Sequence, residues 1–178
     1  MANAEDSHDF YAAFKGEAAF LTNSAFRSDN ITGELEYDAG YGMGGAIGYY
    51  LKSNIRTELE LVYRANDAST LSVNNGPSFE LEDSAVNTFN TMVNGYYDID
   101  LGRKLMPYVG AGAGVAYKVN GKREAAMAYQ GMMGVSYGLE DEQAIYGGYR
   151  YVGTTKFKDN LDIDLSYHII ELGYRIGF

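Results

Sequence analysis

Ile55-Arg56-Thr57-Glu58-Leu59-Glu60-Leu61-Val62-Tyr63-Arg64 alternates residue by residue. Ile55, Thr57, Leu59, Leu61 and Tyr63 fall on one side of a two-residue period, and Arg56, Glu58, Glu60 and Arg64 fall on the other. That is the period of a β-strand with two unlike faces, since successive side chains of a strand point to opposite sides. Four charges share one face, so the question for the whole chain is which way that face looks.

Seven further stretches carry the same period, and helical periodicity is absent between them. They run from Phe10 to Phe20, Tyr41 to Leu51, Phe89 to Ile99, Val109 to Tyr117, Met127 to Leu139, Ile145 to Tyr151 and Ser166 to Phe178. The connections alternate in length. Lys52 to Asn54, Asp100 to Lys104 and Glu140 to Glu142 are tight, whereas Asn23 to Asp38, Asn66 to Ser84 and Thr154 to Asp164 are long and Asn120 to Glu124 is intermediate. Eight strands with short turns at one end and longer loops at the other predict an all-β, antiparallel, up-and-down barrel that crosses the outer membrane, with the long loops extracellular. In the first two long loops Leu35, Tyr37, Phe79 and Leu81 stay in step with their neighbouring strands, which would let those strands project beyond the membrane.

Alternation alone also fits a soluble barrel, where the apolar face points inward. The glycines decide between the two. Gly40, Gly42, Gly44 and Gly48, with Gly110, Gly112 and Gly114, share the polar face. On a solvent face they weaken a strand without gain; inside a narrow lumen they make room. The residues needing room are Lys15, Arg56, Arg64, Lys118, Arg150 and Arg175 with Glu17, Glu58, Glu60, Asp98 and Glu171, six basic against five acidic. An eight-stranded barrel is just wide enough for side chains to fill, so these charges are expected to pair and plug it. Outward aromatics gather toward the loop side at Phe20, Tyr63, Phe89, Tyr117, Tyr129 and Tyr151, and toward the turn side at Phe10, Tyr49, Tyr97, Tyr137 and Phe178. Two such belts mark the two membrane interfaces.

The 178 residues contain no linker-like composition change, and are expected to form one barrel over 10–178 behind a flexible segment 1–9. A net charge of -10 argues against nucleic acid as a partner. With no Cys and only His8 and His168, no metal, cofactor or thiol chemistry is expected. Glu80-Leu81-Glu82-Asp83 lacks the calcium-loop pattern and reads as solvated charge. Met1 is followed by polar residues rather than a basic and then apolar run, so no signal peptide is expected here, and Ala2-Asn3-Ala4 fits the small-residue pattern before a cleavage site.

The closing stretch Ile170-Glu171-Leu172-Gly173-Tyr174-Arg175-Ile176-Gly177-Phe178 resembles the last strand of bacterial outer-membrane proteins. The resemblance implies that Leu172, Tyr174, Ile176 and Phe178 form the signal read by the barrel-assembly machinery. Asn94-Gly95-Tyr96-Tyr97-Asp98, Pro107-Tyr108-Val109-Gly110-Ala111-Gly112-Ala113-Gly114 and Gly148-Tyr149-Arg150-Tyr151-Val152-Gly153 resemble the opacity-like, porin-family surface antigens with an OmpA-type or OmpX-type barrel. That likeness covers nearly the whole chain. It implies a Gram-negative outer-membrane address, contact with outer-membrane lipid and lipopolysaccharide, and loops that meet a host or envelope surface molecule. No periplasmic peptidoglycan-binding domain is expected after Phe178.

Ser166 and His168 share a strand face near the outer rim, an arrangement that resembles lipid-modifying barrels. A serine hydrolase also needs an orienting acid and an oxyanion site, and neither is identifiable. The expectation is therefore a non-enzymatic barrel that presents loops for adhesion or envelope contact. A lipid A or phospholipid hydrolase is the first alternative and a small porin the second.

Overall fold

A computed structural model describes residues 9–21, 24–28, 31–37, 39–73, 79–80, 85–119, 124–139, 142–155 and 166–178. Eleven strands are formed and no helix is present among the described residues. They are β1 (Phe10–Leu21), β2 (Ser24–Ser28), β3 (Ile31–Tyr37), β4 (Gly40–Lys52), β5 (Ile55–Val73), β6 (Phe79–Glu80), β7 (Ala85–Asp98), β8 (Leu105–Lys118), β9 (Glu124–Gly138), β10 (Gln143–Thr154) and β11 (Ser166–Gly177). Eight of them close on themselves. The order is β1-β4-β5-β7-β8-β9-β10-β11, and β1 pairs with β4 on one side and β11 on the other, always antiparallel. Phe14, for example, lies opposite Gly45 of β4 and Tyr174 of β11. Closure leaves the barrel no unpaired edge, which is what a sheet needs where no water is present to satisfy its backbone.

Burial inverts that of a soluble protein. Arg64, Arg150, Glu60 and Asn94 are at most 1% exposed, whereas Phe14, Met43, Met127 and Leu172 are more than 60% exposed. A continuous apolar outer wall with charges inside is stable only where the surroundings are apolar, so the outer face is the lipid face. The eight alternating segments are the eight barrel strands.

The turns follow from local chemistry. Between β7 and β8, Gly102 takes a φ of 64° and its N–H donates to Asp100 Oδ1 at 2.7 Å. Glycine reaches that left-handed region without a Cβ penalty. At the barrel seam, Phe178 N–H donates to Phe10 O at 2.9 Å, and Tyr50 N–H donates to Asp9 O at 2.8 Å.

The far end departs from the loops expected there. β5 runs 19 residues, well beyond the roughly 9–11 needed for a membrane crossing. Its outer part leaves the barrel and pairs with β3 from Gly33↔Val73 to Tyr37↔Ala68, and with β6 at Thr70↔Glu80 and Leu71↔Phe79. β3 also pairs with β2, so 23–38 and 66–84 contain a four-stranded sheet, β2-β3-β5-β6, standing beyond the barrel rim. These segments are in part strands, in line with the alternation that persists at Leu35, Tyr37 and Phe79, while Leu81 lies outside the described residues; the backbone hydrogen bonds of the two segments find partners in each other. The expected loops 120–124 and 154–164 fall mostly on residues 120–123 and 156–165, outside the described residues; Glu124 begins β9 and Thr154 ends β10. Residues 1–8 of the expected leading segment also lie outside them.

Candidate functional site

The lumen is the most chemically dense region of the molecule. Alternation puts every second residue inside, and β4 contributes small ones there, so the longer side chains of other strands reach across. A Cβ on Gly42 would sit 3.0 Å from Glu17 Oε2 and 3.1 Å from Arg64 Cγ. The glycine is the space these two side chains occupy.

Lys15 is the hub. Its Nζ lies 2.9 Å from Glu17, 2.7 Å from Glu60 and 3.2 Å from Glu171. Arg150, on β10, reaches Glu60 at 3.0 Å and Glu171 at 2.8 Å. Arg64 grips Glu17 through Nε at 2.7 Å and Nη2 at 3.2 Å. Gln130 Nε2 donates to Asn94 Oδ1 at 2.6 Å, and Asn94 Nδ2 donates to Glu60 Oε2 at 3.3 Å, which ties β9 and β7 into the same network. Three cations and three carboxylates thus neutralise one another across the middle of the barrel. Each charge has its opposite in contact, and losing one partner leaves another stranded.

Nearer the short turns a second group forms around Arg56. Its Nη1 lies 2.7 Å from Glu58 and its Nε 3.0 Å from Asp98. Tyr11 OH donates to Glu58 at 2.8 Å and accepts from Arg56 Nη1 at 3.0 Å. The guanidinium carbon stands 3.8 Å from the Tyr96 ring centroid, a cation–π contact that supports the charge without a further acid. Tyr96 and Tyr108 pack edge to face at 5.9 Å, and Tyr108 and Tyr146 at 6.5 Å.

Of the residues singled out in the sequence, Lys15, Glu17, Arg56, Glu58, Glu60, Arg64, Asp98, Arg150 and Glu171 are brought into these two groups. Two stand outside. Lys118 is half-buried at the loop end of β8, opposite Thr88, and forms no ion pair with a described residue. The register sends it inward, but at the end of β8 it lies away from both groups. Arg175 is buried beside two rings, Tyr11 at 5.3 Å and Tyr50 at 5.8 Å, and forms no ion pair with a described residue. The inward tyrosines, with Asn94 and Gln130, belong to the site and carry no charge to flag them; their phase in the alternation is the signal that locates them.

Leu172, Ile176 and Phe178 are exposed on the outer wall and Tyr174 is half-buried, its OH donating to Gln143 Oε1 at 2.6 Å. Ser166 and His168 occupy the same wall near the outer rim, and each is engaged elsewhere. Tyr149 OH lies 2.6 Å from His168 Nδ1, and Tyr151 OH donates to Ser166 Oγ at 3.2 Å. Among the described residues no hydrogen bond joins the serine to the histidine and no carboxylate orients the ring. Among the described residues no cluster of His, Cys, Asp or Glu is arranged to hold a metal ion.

A family model described as surface antigen matches residues 10–171. Among curated relatives, an uncharacterized protein of Brucella abortus is 29% identical over 176 residues, covering 81% of this chain and 60% of that protein. Major surface antigen 4 of Anaplasma marginale is 24% identical over 182 residues, covering 84% and 62%. The chain therefore spans about 60% of the length of the curated relatives it matches. Among solved structures, Neisserial surface protein A superposes with a TM-score of 0.71 at 18% identity, covering 98% of this chain and 100% of that one. The outer membrane protein OprG of Pseudomonas aeruginosa gives 0.66 at 12% identity, with 97% of each chain covered. At those identities the likeness is one of fold.

Proposed function

The chain belongs to the surface antigen family, and we propose that it is a non-enzymatic outer-membrane barrel whose charge-paired core holds the β2-β3-β5-β6 sheet outside the cell for contact with a host or envelope surface molecule. One observation carries the reading: the longest strand of the molecule is shared between barrel and outer sheet, so the recognition surface is built on the scaffold's own backbone rather than on a tethered loop. A rigid barrel carrying its variable parts at one end suits binding, because segments beyond the rim change without cost to the packed strands. Outer-membrane lipid and lipopolysaccharide meet the apolar wall. The outward face of β11 at Leu172, Tyr174, Ile176 and Phe178 suits recognition by the barrel-assembly machinery. The engagement of Ser166 and His168 by separate tyrosines supports the non-enzymatic reading over a hydrolase.

Replacing residues 23–38 by a short turn removes β2 and β3 and leaves every barrel strand. Bacteria displaying the full chain should attach to a cultured epithelial monolayer, or the purified protein to immobilised lipopolysaccharide. The shortened protein should keep its heat-dependent gel mobility and lose that attachment to background. Attachment unchanged by the deletion would reject the outer sheet as the recognition surface.

A further inference from the structure

The short-turn end of the lumen holds a feature that neither the scaffold nor the outer sheet requires. A cavity of about 590 Å3 opens there, within the roughly 300–1,000 Å3 range of small-molecule sites. Tyr11, Tyr50, Met106, Leu139, Gln143 and Arg175 are among the residues lining it. Asp98 also lines it, and both Tyr11 and Asp98 are hydrogen-bonded to Arg56.

Arg175 is 5% exposed, and among the described residues it is the buried basic side chain for which no ion pair with a described carboxylate is formed. Two rings flank its guanidinium, and Tyr11 and Tyr50 are themselves 5.2 Å apart. Rings stabilise the charge but accept none of the guanidinium's hydrogen bonds in the way an oxygen does, and its planar fork matches a carboxylate. Small neighbours keep the position clear, since Ala13 and Ala144 stand opposite Arg175 on β1 and β10. Asp98 is already held by Arg56, so it does not serve as the missing partner.

We propose that this vestibule binds a monocarboxylate carried on an apolar or aromatic body, with the carboxylate on Arg175 and the body against Tyr11, Tyr50, Met106 and Leu139. The lining chooses the class. Asp9 and Glu142 also border the cavity, and their negative charge disfavours a dianion such as free phosphate, while the rings and aliphatic side chains favour an apolar body. An outer-membrane barrel turns its short connections to the periplasm, so the ligand arrives from that side.

The full chain, refolded in nanodiscs of zwitterionic phospholipid, is titrated with phenylacetate, phenylacetamide and inorganic phosphate by calorimetry. Saturable phenylacetate binding is expected, with the amide and phosphate giving no saturable signal. Arg175→Gln should weaken phenylacetate by about tenfold or more, the loss of a charge-assisted pair. Ala144→Leu fills the cavity without touching a charge and should abolish binding while the heat-dependent gel shift stays intact, which keeps the test decisive where Arg175→Gln refolds poorly. No saturable binding, equal binding of acid and amide, or binding unaltered by Ala144→Leu overturns the proposal.

Discussion

Glu60→Ala should cost about 3–5 kcal/mol of barrel stability, because it strands charges on two other strands at once. Glu60 Oε2 accepts from Lys15 at 2.7 Å and from Asn94 at 3.3 Å, and Oε1 accepts from Arg150 at 3.0 Å and from Gln130 at 3.4 Å. Without it, Lys15, Arg64 and Arg150 share only Glu17 and Glu171 in a region that water does not reach. Glu60→Gln keeps the shape and loses only the charge, so its cost should be smaller. Lys15→Met combined with Glu60→Leu removes one charge of each sign and should recover much of the loss, since a buried pair replaced by apolar groups is often close to neutral. Urea unfolding in lipid vesicles reads the effect as a lower midpoint at unchanged slope. A loss below about 1 kcal/mol for the alanine variant, the size of an exposed pair, would show that the network is solvated.

Gly148→Leu should prevent assembly altogether. A Cβ there would lie 2.6 Å from Tyr108 Oη and 2.7 Å from the Met133 carbonyl oxygen, with Gly134 Cα at 3.3 Å. The tyrosine could swing away, but the carbonyl belongs to the backbone of β9, which is locked into the β9–β10 ladder at Tyr149↔Met133. Overpacking commonly costs about 1–3 kcal/mol when side chains yield, and more when backbone must move. Gly131→Leu is the matched control, because a Cβ at Gly131 meets nothing within 4 Å and points to lipid. Refolding in detergent should give the heat-dependent gel shift for Gly131→Leu and not for Gly148→Leu. Equal yields would mean that the inward glycines are not space that neighbouring side chains occupy.

The contrast between those two glycines is already present in the amino-acid sequence. Both lie in alternating segments, and the phase set by Arg150 or Tyr129 assigns one inward and the other outward. The period therefore locates strands, faces and the inward charges, since it depends only on neighbours along one chain. Depth and pairing depend on other strands. Lys118 has the right phase and the wrong depth. Arg175 has both, yet among the described residues it stands beside rings rather than a carboxylate, which no spacing reveals. Tyr96 looks like any strand tyrosine until the register brings Arg56 directly opposite. The outer sheet carries the same period at Leu35, Tyr37 and Phe79, but the period alone does not say which strands pair there. Its strands are defined by long-range pairings such as Leu35↔Leu71.

Planar-bilayer recording of the reconstituted full chain tests most directly whether this barrel is a scaffold rather than a pore. Lys15, Glu60, Arg150 and Glu171 join β1, β5, β10 and β11 across the lumen, and none of the four lines the vestibule at the short-turn end. The account predicts a baseline without long-lived openings of porin size, and steady openings of that size in the wild-type protein would contradict it.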